Sequence, residues 1–121
     1  MPTYRVTVHT GNLGVGGFAG TDANVYITLY GADSSDELML DNAENNFESG
    51  KVDVFALHLK ELGDLKQIRI RHDNKNPLAG WFLDRVHIRN EGTDKEWTFP
   101  CNRWLARDED DGEIERMLDL A

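Results

Sequence analysis

Apolar residues in this chain alternate with polar ones over runs of six to eight positions, and that period limits the fold more than any other feature. Val25, Ile27 and Leu29 alternate with Tyr26, Thr28 and Tyr30; Tyr4, Val6 and Val8 share one face, as do Phe55, Leu57 and Leu59, and likewise Val86 and Ile88. A period of two with β-branched and aromatic enrichment is the signature of strands that bury one face. The spacing predicts strands over 4–10, 25–31, 52–59, 67–72, 82–88 and 96–101, with a weaker one over 37–40. Clusters of Gly, Asn, Asp and Pro separate them and read as turns. Only EIERMLDL, residues 113–120, carries a helical pattern. Many short strands with polar connections predict an all-β sandwich. A chain of 121 residues without repeats or low-complexity linkers is expected to be a single domain over 1–121.

The glycines of GNLGVGGFAGTDANVYITLYG, residues 11–31, test a different idea. Gly14, Gly16 and Gly17 imitate a phosphate-cradling fingerprint, but such a loop must open a helix, and here a strand follows. No Walker-type lysine and hydroxyl pair is present either. Thirteen basic against 22 acidic residues give a net charge of −9. That balance argues against nucleic acid, whose binding draws most of its affinity from Lys and Arg on phosphates. It also disfavours anionic lipid unless a cation mediates.

Three loops concentrate oxygen donors. The first ends in Gly20-Thr21-Asp22, the second is LDNAENNFESG (40–50), and the third is RHDNKNPLAGW (71–81). Calcium takes six to eight oxygens from carboxylates, amides and backbone carbonyls, and glycines permit the φ values that turn carbonyls inward. Asp and Asn are equally the ordinary residues of turns, so composition leaves both readings open. The run DEDDG (108–112) fails the EF-hand spacing and reads as a solvated acidic turn. Trp81 and Cys101 read as structural core, His87 as outward-facing, and Trp104 divides between packing and surface contact. The N-terminus enters a strand pattern almost at once, so no signal peptide is expected, and the single cysteine leans toward a reducing compartment, cytoplasmic or at a membrane periphery.

Taken together, GTDANVYITLYG, DNAENNFESG with VDVF, HDN…GWFLDRV and TFPCNRWLARDEDDGEI resemble the PLAT (LH2) domain over about residues 4–117. The similarity is greatest to the tandem-repeat group of lipoxygenase-homology proteins. The resemblance implies an eight-stranded antiparallel β-sandwich of C2-like outline, without catalytic residues of its own. It also implies Ca²⁺ among the loops of one end. On that basis Phe18, Gly20 and Thr21 would offer carbonyls and Asp22 a carboxylate. Asp41, Asn42, Glu44 and Asn46 would line the second loop, with Asp73 and Asn74 contributing from the third. Asn46 stands where relatives often have aspartate, and Ala79-Gly80 where some have an acid. Membrane-binding relatives carry tryptophans where this chain has Gly17 and Asn76. Leu13, Val15, Phe18, Leu78 and Trp104 are the apolar residues left to meet a lipid surface. Two functions follow from the resemblance: calcium-dependent membrane targeting, or a protein-interaction module in which calcium is a structural clip.

Overall fold

A computed structural model of the chain describes residues 1–12, 19–42, 46–75 and 79–121. Its strands are β1 (Thr3–Thr10), β2 (Val25–Tyr30), β3 (Leu38–Met39), β4 (Val52–His58), β5 (Gln67–His72), β6 (Trp81–Asn90), β7 (Lys95–Leu105) and β8 (Glu115–Asp119). They form two four-stranded sheets, ordered β4-β1-β6-β7 and β3-β2-β5-β8, with every pairing antiparallel. The all-β sandwich expected from the alternation is what the chain forms.

Register follows from burial. Val6 stands opposite Phe55 on one side and Ile88 on the other, and Ile27 and Leu29 stand opposite Ile70 and Ile68. All of these side chains are buried and face the opposite sheet. A shift of one residue would move every one of them into water, at roughly 1.5–3 kcal/mol for each large side chain. Trp81 is fully buried, as its alternation predicts, and its indole N–H donates to Thr10 Oγ1 at 3.0 Å.

Two elements differ from the sequence reading. The C-terminal run is a strand, not a helix: β8 pairs with β5, and Leu118 stands opposite Ile68 in the core. A partner strand with an open edge decides between the two periods in a segment this short. β7 also runs on to Leu105 through Pro100, which an edge strand accommodates because a proline there forfeits no ladder bond on its solvent side.

One buried polar group joins the sheets beside the loops. His72 is fully buried; its Nδ1 accepts the Asn74 N–H at 3.0 Å, so Nε2 carries the proton that the Leu105 carbonyl accepts at 2.7 Å. Burial pushes the imidazole below its ordinary value of 6.5, against the opposing pull of the Leu105 carbonyl. A depressed base takes its proton later in the folded state than in the unfolded one, so stability falls as pH drops below about 6.5. Urea midpoints are expected to decrease between pH 7.5 and 5.5, with a shallower slope in His72→Gln; equal slopes would contradict this assignment.

Candidate cation site at the loop rim

Strand order brings the described ends of four connections to one end of the sandwich: residues 11–12 and 19–24, 40–42 and 46–51, 73–75 and 79–80, and 106–114. Their junctions are stitched by backbone bonds. Gly50 N–H donates to the Gly11 carbonyl at 3.0 Å, Phe82 N–H to Ala19 at 2.8 Å, and Asp73 N–H to Asn24 at 3.1 Å.

Phe47 fixes the second loop. Its ring is buried between Phe55 and Trp81, with centroids 5.7 and 5.3 Å away. The backbone there has φ of 64°, uncommon for a bulky residue. Asp53, buried on β4, accepts the Phe47 N–H at 2.8 Å and lies 3.4 Å from Lys51 Nζ. The Phe47 carbonyl in turn accepts the Thr21 N–H at 3.0 Å, which ties the first loop to the second. Ser49 Oγ adds two more ties, accepting from Ala19 and Gly20 at 2.8 and 3.2 Å.

Gly20 has its own role at this junction. A Cβ there would lie 2.5 Å from the Phe47 carbonyl oxygen and 3.0 Å from the backbone of Glu48 and Ser49. The sequence suggested conformational freedom as the reason for glycine. The structure corrects this: Gly20 is not among the glycines with positive φ, and what it supplies is room for two backbones to meet.

Between these two loops lies an open cleft of about 270 Å³, lined by Thr21, Asp22, Asn24, Asp41 and Asn46 among others. None of its described lining residues is cationic. Asn46 Nδ2 donates to Asn42 Oδ1 at 2.9 Å, and Asn46 Oδ1 is buried with no hydrogen-bond partner among the described residues. A buried acceptor without a donor carries a desolvation cost, and a cation would remove it. Among the described residues, no three acidic, histidine or cysteine side chains converge as a metal centre. A cation here would therefore draw on amide and backbone oxygens beside Asp22 and Asp41. That donor set suits calcium and not zinc.

The structure sorts the candidate ligands. Thr21, Asp22, Asp41 and Asn46 meet in the cleft. Thr21 is buried, and its hydroxyl donates to the Ala79 carbonyl at 2.7 Å and accepts the Ala23 N–H at 3.1 Å, leaving only its carbonyl for an ion. Asn42 lies outside the lining, its amide committed to Asn46 and to the Val54 carbonyl at 3.2 Å. Asp73 is likewise outside it. Its carboxylate accepts the Asn24 N–H at 3.1 Å, Asn24 Nδ2 at 2.8 Å and the Lys75 N–H at 3.2 Å. Burial alone would raise the Asp73 carboxyl, but the bonds from Asn24 and Lys75 outweigh it and hold it below the ordinary value. Asn74, at φ of 52°, serves His72. Phe18, Glu44, Leu13, Val15 and Leu78 lie outside the described residues.

Trp104 packs edge-on against Phe82, centroids 5.5 Å apart, and stays half-exposed on the outer face of β7. Arg116 holds it from behind, donating to its carbonyl at 2.6 and 3.0 Å. The same arginine meets Asp111 at 2.8 Å, while Arg103 meets Asp110 at 2.7 Å. Two acids of the run, Asp110 and Asp111, are thus paired within the fold, while the turn as a whole stays exposed as the sequence suggested. Hydrogen bonding from Arg116 holds the Asp111 carboxyl far below its usual range, and Arg103 does the same, less strongly, for Asp110.

With this geometry in hand, the pattern of the PLAT/LH2 domain family matches residues 4–119. The chain belongs to the PLAT/LH2 family. This PLAT domain is 45% identical over 116 residues to lipoxygenase homology domain-containing protein 1 of Mus musculus, covering 95% of the chain but 6% of that relative. Among solved structures, a coral 8R-lipoxygenase described as calcium-activated through a C2-like domain superposes with a TM-score of 0.81 at 30% identity. The match covers 98% of this chain and 17% of the lipoxygenase. A calcium-dependent 11R-lipoxygenase superposes with a TM-score of 0.72 at 28% identity, covering 99% and 17%. The PLAT domain therefore spans a small part of each of these relatives.

Gly20→Ala is expected to lower stability by about 1–3 kcal/mol, because the added methyl meets backbone that cannot swing aside. Thermal unfolding would read this as a melting point several degrees lower; an unchanged melting point would show that the loops do not need this close approach.

Proposed function

We propose that this PLAT domain is a non-enzymatic module that binds calcium at the loop rim and thereby docks onto a lipid surface. The observation that carries the reading is a cleft lined by Asp22, Asp41 and Asn46, whose buried Oδ1 has no hydrogen-bond donor among the described residues. The residues lining the cleft fit a calcium ion: Asp22 and Asp41 would supply charge, Asn46 an amide oxygen and Thr21 a backbone carbonyl, while Gly20 lies outside the lining. Bound calcium supplies positive charge at a rim that is otherwise acidic. Asp53 and Ser49 hold in place the backbone of the two loops that carry these residues. Two carboxylates and one amide make a modestly charged set, which points to a weak, reversible site.

The lipid half of the proposal rests on position along the chain. Leu13, Val15 and Phe18 belong to the connection between β1 and β2, and Leu78 to that between β5 and β6; both connections begin and end at the rim. Trp104 stands half-exposed beside it. Shallow insertion of a few such residues contributes less than full burial, about 1.5–3 kcal/mol each, so attachment would reverse when calcium is removed.

Calcium titration by calorimetry is expected to give saturable binding to the wild type and at least about tenfold weaker binding to Asp41→Ala, a loss of about 1.4 kcal/mol. Vesicles of mixed zwitterionic and anionic lipid should float the domain with calcium and not with chelator. The double change Leu13→Ser and Phe18→Ser should retain calcium binding and lose flotation. Identical titrations for wild type and Asp41→Ala would remove the site, and flotation in chelator would remove the mechanism.

A further inference from the structure

The two sheets have four edges, formed by β4, β7, β3 and β8, and three of them are protected. β3 is two residues long, β7 carries Lys95, Glu96 and Pro100, and β8 carries Glu115, Arg116 and Asp119. Short length, proline and charge are the devices by which natural sheets prevent edge pairing. β4 has none of them. Its seven residues, VDVFALH, contain no proline and no exposed charge of fixed sign, since Asp53 is buried beneath the second loop.

β4 also turns an apolar row outward. Val52 and Val54 are 49% and 47% exposed, and Ala56 follows them on the same face. The Val54 carbonyl points away from β1, because Asn42 Nδ2 reaches it from outside the sheet. By the alternation of an antiparallel ladder, the N–H and C=O groups of Val52, Val54 and Ala56 all face the open edge.

We propose that β4 is a pairing surface for a second copy of this chain, joined antiparallel about Val54. Such pairing sets Val54 against Val54 of the other copy and Val52 against Ala56, so that each opposed pair exchanges two backbone hydrogen bonds. The outer side chains then form one uninterrupted apolar strip, and the β4-containing sheets of the two copies become continuous. The match is self-complementary, as a two-fold interface requires.

Charge selects the same occupant. Each copy carries −9, so most approaches between copies are repulsive. Between Lys51 and Lys60 the only carboxylate is the buried Asp53, beside Lys51. Along β4 itself, two acidic copies would meet without an exposed carboxylate on either strand. The area is small for a stable dimer, so association should be weak. It must also displace Asn42 from the Val54 carbonyl. The inference does not depend on the cation site, and its test is run in chelator to keep the two apart.

Sedimentation equilibrium of the full chain is expected to show a monomer–dimer balance at roughly 0.1–1 mM, shifting toward dimer as salt screens the net charge. Val54→Lys should reduce association about tenfold or more, although it lowers the net negative charge and would favour any non-specific contact. Met117→Lys, equally exposed on β8, should leave it unchanged. Amide exchange at Val52, Val54 and Ala56 should slow as protein concentration rises. A monomer throughout, a dimer indifferent to Val54→Lys, or a dimer without slowed exchange at these amides would each overturn the proposal.

Discussion

The rim of the sandwich depends on Phe47 remaining in place. Its ring closes the open end of the core against Phe55 and Trp81, while its backbone is held in a conformation that costs on the order of 1–3 kcal/mol. That strain is offset because three groups act on one residue: the buried ring, the Asp53 carboxylate on its N–H, and the Thr21 N–H on its carbonyl. The second loop cannot shift without withdrawing an aromatic ring from the core and leaving the buried Asp53 carboxylate without its amide donor. The first loop, tied to the Phe47 carbonyl and to Ser49, must follow. The backbone of the two loops that carry Asp22, Asp41 and Asn46 is therefore held by packing, which would lower the ordering cost of any ligand that bound between them.

This arrangement explains which parts of the molecule are legible in the sequence. Alternation in Tyr4–Val8, Val25–Leu29 and Val86–Ile88 fixes the buried faces because each side chain reports its own environment. The C-terminal strand is not legible, because its period is ambiguous over eight residues and the free edge of β5 decides it. Asp53 escapes notice for a similar reason. It sits at an inward position of a strand and looks like a polar interruption until the Phe47 amide is found above it. Gly20 is recognisable as special, but its neighbour is 27 residues away, and no local pattern records that proximity.

The acids divide by the same logic. In composition Asp73, Asp110 and Asp111 are indistinguishable from Asp22 and Asp41. In space Asp73 serves Asn24, and the acidic turn is answered by Arg103 and Arg116. Arg116 does more than neutralise, since by bonding the Trp104 carbonyl it joins the acidic turn to the strand that presents the tryptophan. Part of the negative charge at the rim is thus taken up within the fold, and a count of residues overstates what a ligand would meet there.

Asn42 links that cleft to the edge of the sandwich. Its Oδ1 receives Asn46 Nδ2, which turns the Asn46 oxygen toward the buried position, and its own Nδ2 covers the Val54 carbonyl on β4. Any ligand that draws on the Asn46 oxygen and any strand that claims the Val54 carbonyl act on the same pair of amides. Linkage makes such an influence reciprocal: whatever one event does to the affinity of the other, the second must do to the first. The sign follows from the hydrogen bonds themselves. A cation at Asn46 Oδ1 polarises its amide and strengthens the Nδ2 bond to Asn42, holding Asn42 over the Val54 carbonyl. On this geometry, an occupied rim and a paired edge oppose each other through one side chain.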